Sequence, residues 1–203
     1  MVTSYKTLDT VSRENFLGNF SNSVTTTYFD ILLKMISLSK TLDKTLLVHA
    51  GFAVDLAIGH ITREHKDLDL VTMVSDIPIF KELFQKAHFE VGSHPNTDPV
   101  LSFYARTFIQ DIEKTIDIDV VSLDIDNDEV FDRRVVDGEK FIFPIKASEF
   151  VWERKIADVP IQFFSPYLVH TFKKIQQKHS VVREIDVKDC DILEKFYTEI
   201  KVL

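Results

Sequence analysis

Apolar and polar positions along this chain switch between helical and strand spacing, and the order of the switches predicts an α+β arrangement. Val24, Tyr28, Ile31, Leu32, Met35 and Leu38 recur at helical spacing. Leu46-Leu47-Val48 has the look of a short buried strand, broken at Gly51. Phe52 to Ile58 predicts a short helix closed by Gly59. A charged loop, His60 to Lys66, leads into a strand over Asp67 to Thr72. Asp76 with Pro78 marks the next helix start, and Ile77, Phe80, Leu83, Phe84 and Ala87 form its apolar stripe. Phe89-Glu90-Val91 predicts a short strand, and the Gly, Pro, Asn and Asp of residues 92–99 predict a loop. Val100 to Phe108 and Thr115 to Leu123 are the next strands. Asp137-Gly138, between Val135-Val136 and Phe141-Ile142-Phe143, signals a hairpin. Ser165-Pro166 caps and opens a helix reaching about His179, and a last helix runs from about Asp186 to Ile200. Residues 1–22 show no period and read as an irregular lead-in.

Size and composition narrow the class. The chain has 203 residues, 45% of them hydrophobic, with 17 Phe, so it can bury a full core. A single domain is expected over 1–203, with a catalytic core of about 24–125 followed by C-terminal strands and helices of about 126–203. The formal net charge is −8 and no five-residue basic run occurs, which disfavours a nucleic-acid backbone as main partner. A nucleotide needs only one or two cations and stays compatible. Cys190 is the only cysteine, so the expected compartment is the reducing cytoplasm. The first residues lack the apolar core of a signal peptide, and no apolar run approaches the roughly 20 residues of a membrane helix.

The chemistry concentrates in carboxylate pairs. Asp67-Leu68-Asp69 and Asp117-Ile118-Asp119 each lie inside an apolar stretch that reads as a strand. Residues i and i+2 of a strand share a face, so each pair offers two carboxylates side by side. Burying them without a counter-charge is expensive, and a hard divalent cation takes such oxygen ligands. Asp124-Ile125-Asp126-Asn127-Asp128 is the control. A calcium loop needs Gly at its sixth position and Glu at its twelfth, where this chain has Glu129 and Val135, so a solvated acidic turn is the better reading. Upstream of Asp67, a glycine beside a helix start can let backbone N–H groups approach an anion. Other polar residues have plainer readings. Asp55 complements a helix dipole, His49 is a satisfied core histidine, Cys190 is packed and inert, and Trp152 is core.

The run Ala50-Gly51-Phe52-Ala53-Val54-Asp55, closed by Gly59, and then Arg63-Glu64-His65-Lys66-Asp67-Leu68-Asp69 resembles a known signature. It is that of the lincosamide and aminoglycoside 2″-nucleotidyltransferases, within the polymerase-beta-like superfamily. Their pattern is Gly-Gly-Trp-Ala-x-Asp, a short helix ending in Gly, then Arg-x-His-x-Asp-x-Asp. Phe164-Ser165-Pro166-Tyr167-Leu168, Lys173 and the Arg183 to Asp191 segment also resemble the C-terminal helices of that family.

The resemblance implies a nucleotidyltransferase fold, a mixed β-sheet flanked by helices with further C-terminal helices. It implies transfer of a nucleoside monophosphate from an NTP to an acceptor hydroxyl, with two Mg²⁺ ions and release of pyrophosphate. Asp67 and Asp69 would bind metal. Asp117 would be the third acidic residue, as ligand or base, with Asp119 its rival. Gly51 would lie against the phosphates, and Arg63, His65 and Lys173 would contact the triphosphate. The acceptor would be a small hydroxylated molecule. Two alternatives are a toxin-like enzyme acting on protein or tRNA and a non-catalytic nucleotide-binding module. The chain departs from the pattern at Ala50, where the family has glycine, and at Phe52, where it has Trp. Ala resists a left-handed backbone, so the conformation at position 50 decides what the first change costs.

Overall fold

The computed structural model describes residues 6–21, 23–93, 101–110, 113–126, 129–136, 139–146, 150–179 and 182–200. Its strands are β1 (Lys6–Val11), β2 (Leu46–Val48), β3 (Asp67–Met73), β4 (Glu90–Gly92), β5 (Ser102–Ile109), β6 (Lys114–Asp126), β7 (Glu129–Val136), β8 (Glu139–Lys146), β9 (Val151–Ile156) and β10 (Val159–Phe164). Its helices are α1 (Arg13–Leu17), α2 (Val24–Thr41), α3 (Ala50–Ile58), α4 (Ile77–Lys86), α5 (Pro166–His179) and α6 (Glu184–Ile200). The strands form one mixed sheet in the order β1-β9-β10-β2-β3-β6-β5-β4, with β7 paired to β6 and β8 to β7. The fold is α+β, as the order of periodic segments predicts. Among the described residues, no helix is long and apolar enough to cross a membrane.

Local chemistry accounts for most boundaries. Ser23 caps α2 by accepting a hydrogen bond from the Thr25 N–H at 3.2 Å. Asp76 precedes α4, which has proline in its first turn. Gly59 ends α3 in the left-handed region at φ 98°, where its N–H donates to the Asp55 carbonyl. Burial alternates over residues 67–70 of β3 and 116–121 of β6. Leu68, Leu70, Ile116, Ile118 and Val120 are fully buried, while Asp67, Asp69, Asp117 and Asp119 are half-buried on the opposite face.

Three expectations are corrected. Residues 6–11 form a strand rather than an irregular lead-in, parallel to β9 with Lys6 opposite Trp152. It is an edge strand, mostly exposed, so no apolar pattern marks it. The β9–β10 hairpin had no sequence signal. Its connection, Ala157-Asp158, lacks glycine although Ala157 has φ 52°, and β9 carries a Glu and an Arg. Asp124 to Asp126 continue β6 and pair with β7 rather than forming a solvated turn. The antiparallel pairing of β7 and β8 fits the predicted hairpin, though Asp137-Gly138 itself lies outside the described residues, as do residues 94–99 of the predicted loop and 127–128 of the acidic run.

One buried cation ties β9 to α3 and β1. Arg154, on β9, is 7% exposed. Its guanidinium donates to the carbonyls of Leu56 at 2.5 Å and Ala57 at 3.0 Å, at the C-terminal end of α3, and to that of Asp9 at 3.0 Å. These carbonyls have no helical partner, and a cation there also complements the helix dipole. Arg154→Met removes three charge-assisted bonds, two of them to buried carbonyls, and the expected cost is about 3 kcal/mol. Thermal denaturation should show Tm falling by about 6–12 °C. A change within about 2 °C would mean that these bonds contribute little.

Candidate active site

The register of two strands builds the acidic side of the site. β3 and β6 run parallel, with Asp67 opposite Asp117 and Asp69 opposite Asp119. All four carboxylates therefore leave the same face of the sheet. Tyr28, from α2, ties the two strand starts together. Its hydroxyl donates to the Lys66 carbonyl and accepts from the Asp117 N–H at 3.2 Å. Burial pushes the Tyr28 hydroxyl above its ordinary pKa, and the charges of Asp117, Asp67 and Asp119 push the same way, against the lowering effect of the Asp117 N–H.

The two carboxylates of β6 have different surroundings. Asp117 faces Arg106 of β5, its partner in register, with Oδ1 2.5 Å from Nε. Asp119 turns into a cavity of about 500 Å³. That cavity is also lined by His49, Ala50, Gly51, Arg63, Asp67 and Asp69, and on its far side by Lys173, Arg183 and Glu184.

The turn between β2 and α3 forms the floor. The His49 N–H donates to the Asp69 carbonyl at 3.0 Å, which fixes the turn to β3. Its ring packs on Phe164 and Phe172 at 4.7 and 5.5 Å, so the histidine is a wall of the cavity as well as a core residue. Ala50 has φ 50°. The position does require the left-handed backbone that glycine supplies in the family pattern, and here alanine adopts it. Gly51 has a different reason to be glycine. A Cβ there would collide with the Arg63 guanidinium and approach His65 Cε1 to 2.9 Å.

The far wall is cationic. Lys173 of α5 is buried, and its Nζ lies 2.8 Å from both Asp186 and Asp189 of α6. Asp186 also accepts from Arg183 Nε at 2.6 Å and Nη2 at 2.9 Å. Asp189 also accepts from Arg63 Nε and Nη2, each at 3.3 Å. Two buried carboxylates thus hold three cations around the cavity. Burial alone would raise the Asp186 pKa, but hydrogen bonds from Arg183 and Lys173 outweigh it and hold the carboxyl below its usual range. The bond to Asp186 raises the Arg183 pKa, and attraction to Asp67 and Asp69 adds to it.

Of the residues singled out in the sequence, Gly51, Arg63, Asp67, Asp69, Asp119 and Lys173 line this one cavity. His65 does not. It is 1% exposed, stacked on Phe52 at 4.0 Å and bonded to Asp55 at 2.5 Å, so it supports the site from behind instead of contacting a triphosphate. Asp117 is likewise absent from the lining. Asp55 does more than complement a helix dipole. Fully buried, it accepts from the Thr62 N–H and hydroxyl as well as facing His65. Lys66, Arg183 and Glu184 line the cavity without having been picked out as site residues. Asp186 and Asp189, three apart at the start of a helix, were legible as one face. Their partners were not, because those come from α5 and from the loop before β3. The carboxylates of Asp67, Asp69 and Asp119 are hard oxygen donors of the kind Mg²⁺ takes. Among the described residues no three acidic, His or Cys side chains form a preassembled metal group.

A family model described as aminoglycoside-2″-adenylyltransferase matches residues 31–166. The chain belongs to this family. It is a nucleotidyltransferase, and the match covers β2 to β10 but stops where α5 begins. Solved structures share the fold. The lincosamide antibiotic adenylyltransferase LnuA, with lincomycin bound, has a TM-score of 0.58 at 17% identity, over 81% of this chain and 95% of that one. ANT(2″)-Ia, in complex with adenylyl-2″-tobramycin, has a TM-score of 0.56 at 14% identity, over 86% and 94%. An antigenic nucleotidyltransferase-like protein from Paracoccidioides brasiliensis has a TM-score of 0.53 at 14% identity, over 90% and 77%. No curated protein matches this chain.

Two substitutions read the turn and the wall separately. Ala50→Gly relieves a left-handed alanine and should stabilise the family member by about 1 kcal/mol, whereas Ala50→Val should destabilise it by more. Chemical denaturation of the two proteins gives the comparison, and a more stable Val variant would contradict the strained turn. Lys173→Met leaves Asp186 and Asp189 buried with fewer counter-charges, and the expected loss is about 3 kcal/mol. An unchanged denaturation midpoint would show that Arg63 and Arg183 compensate the two carboxylates unaided.

Proposed function

We propose that this nucleotidyltransferase transfers a nucleoside monophosphate from an NTP–Mg²⁺ complex to a hydroxyl of a small acceptor of the antibiotic class. The observation that carries the reading is the polarity of the cavity. The carboxylates of Asp67, Asp69 and Asp119, from β3 and β6, and the cations of Arg63, Lys173 and Arg183 line the same space. Its volume of about 500 Å³ lies in the range of small-molecule sites. Family membership supports nucleotidyl transfer. The molecules bound to the two antibiotic-modifying relatives, lincomycin and adenylyl-2″-tobramycin, support a hydroxylated acceptor.

In this reading Asp67 and Asp69 hold Mg²⁺ with Asp119. The metal supplies charge screening for the triphosphate and for the departing pyrophosphate. Arg63, Lys173 and Arg183 bind phosphate oxygens. Asp119 accepts the proton of the acceptor hydroxyl as its oxygen attacks the α-phosphorus. The bond from that phosphorus to the β-phosphate oxygen breaks, and the electron pair leaves on pyrophosphate. Asp119 is preferred over Asp117 because it lines the cavity, whereas Asp117 is engaged by Arg106.

Pyrophosphate release with Mg²⁺, each of the four NTPs and a panel of aminoglycosides and lincosamides tests the proposal. Release is expected with at least one pair. Asp69→Asn and Asp119→Asn should each lower kcat by at least about a hundredfold, and Asp117→Asn by less than about tenfold. A larger loss in Asp117→Asn than in Asp119→Asn would reverse the assignment of the third carboxylate. No release with any pair would remove the enzymatic reading of this cavity.

A further inference from the structure

We infer that Asp55 and His65, neither of which lines the cavity, are positioning residues that aim the Arg63 guanidinium through a directed chain of hydrogen bonds. Asp55 is fully buried, and its Oδ1 accepts from the Thr62 N–H at 2.9 Å and the Thr62 hydroxyl at 2.6 Å. Its Oδ2 lies 2.5 Å from His65 Nε2. On the other side of the ring, His65 Nδ1 lies 3.3 Å from Arg63 Nη1. A guanidinium has donors and no acceptor, so Nδ1 accepts and carries no proton. The opposite ring nitrogen, Nε2, donates to Asp55. Asp55 fixes the tautomer, and the tautomer provides the acceptor that Arg63 needs.

The ring has no freedom to turn. The His65 backbone N–H donates to Thr25 Oγ1 at 2.9 Å, which holds the main chain, and Phe52 stacks on the imidazole at 4.0 Å. Arg63 is held from the remaining sides by the Glu64 carbonyl at 3.2 Å and by Asp189 at 3.3 Å. Gly51 leaves out the side chain that would fill the same space. The result is a guanidinium set by groups from α6, the loop after α3 and α3 itself, with its side chain 22% exposed on the cavity. Such preorganisation favours phosphate binding because the arm is ordered before the ligand arrives.

The inference rests on Arg63 meeting the triphosphate, and the test separates the two. Affinity is measured by calorimetry for the tightest binder among ATP, GTP, CTP and UTP, each with Mg²⁺. Arg63→Ala should weaken it by about tenfold or more. Asp55→Asn keeps the shape of the side chain but turns an NH₂ toward His65, which forces the proton onto Nδ1, where it opposes Arg63. It should weaken binding about tenfold in the native background and not at all in the Arg63→Ala background. ¹⁵N resonances of the His65 ring should show the Nε2–H tautomer in the native protein and Nδ1–H in Asp55→Asn. If Asp55→Asn does not fold, His65→Gln and His65→Leu replace it. Gln keeps a donor toward Asp55 and an acceptor toward Arg63 and should bind within about threefold of native, while Leu should lose what Arg63→Ala loses. Arg63→Ala with native affinity would remove the phosphate role of Arg63. A loss in Arg63→Ala together with an additive Asp55→Asn effect, an Nδ1–H or imidazolium signal in the native protein, or equal losses in Gln and Leu would overturn the positioning chain.

Discussion

Everything at this site depends on the register between β3 and β6. Parallel pairing sets Asp67 beside Asp117 and Asp69 beside Asp119, with Leu68 and Ile118 fully buried on the other face. A slip of one residue would turn the slipped strand's two carboxylates into the core and expose its apolar set, a costly exchange. Core burial on one face therefore enforces acidic convergence on the other. Tyr28 reinforces the same register from outside the sheet, since its single hydroxyl touches the chain just before β3 and the start of β6.

Concentrated negative charge on one wall requires compensation, and the C-terminal helices provide it. Asp186 and Asp189 do not cancel that compensation. They hold Lys173, Arg183 and Arg63 in place beside the cavity, Lys173 buried and Arg183 still largely exposed. Long cationic side chains lose much rotamer freedom when ordered, and here the protein orders three of them with two carboxylates that are 3% and 1% exposed. The arrangement divides the site between segments with different roles. The segment matched by the family model carries the acidic strands, the glycine turn, Arg63 and Lys66, and the C-terminal segment beyond residue 166 adds Lys173 and Arg183.

The sequence was most legible where local and tertiary demands coincide. Alternation marked β3 and β6 because one face is core and the other polar, and the Asp-x-Asp pairs fell at the positions that alternation requires. Legibility failed where tertiary contacts override local pattern. Glu153 and Arg154 disguise β9, yet both are buried, and Arg154 is there because α3 presents unpaired carbonyls from 97 and 98 positions away. β1 has no apolar face to announce it. His65 illustrates a third kind of failure. Its place in the motif suggested contact with a ligand, but only coordinates could show that Phe52 and Asp55 occupy its two sides. The different surroundings of Asp117 and Asp119 were hidden for the same reason, because Arg106, the partner of Asp117, comes from β5.

Ala50 shows how such a site tolerates departure from its family pattern. The left-handed backbone is imposed by the turn. The His49 N–H is committed to β3, and α3 must begin at once so that Gly51 can pass beneath Arg63 and His65. Those fixed ends leave position 50 no alternative conformation, whichever residue stands there. An alanine adds strain of about 1 kcal/mol, which the buried contacts around the turn can offset. A Cβ at position 51 meets a stacked, hydrogen-bonded imidazole that cannot retreat, so there the obstacle is steric and not a matter of backbone preference. The two adjacent small residues are thus constrained by different physics. The first position can drift to alanine while the second stays glycine, and the geometry of the cavity survives the change.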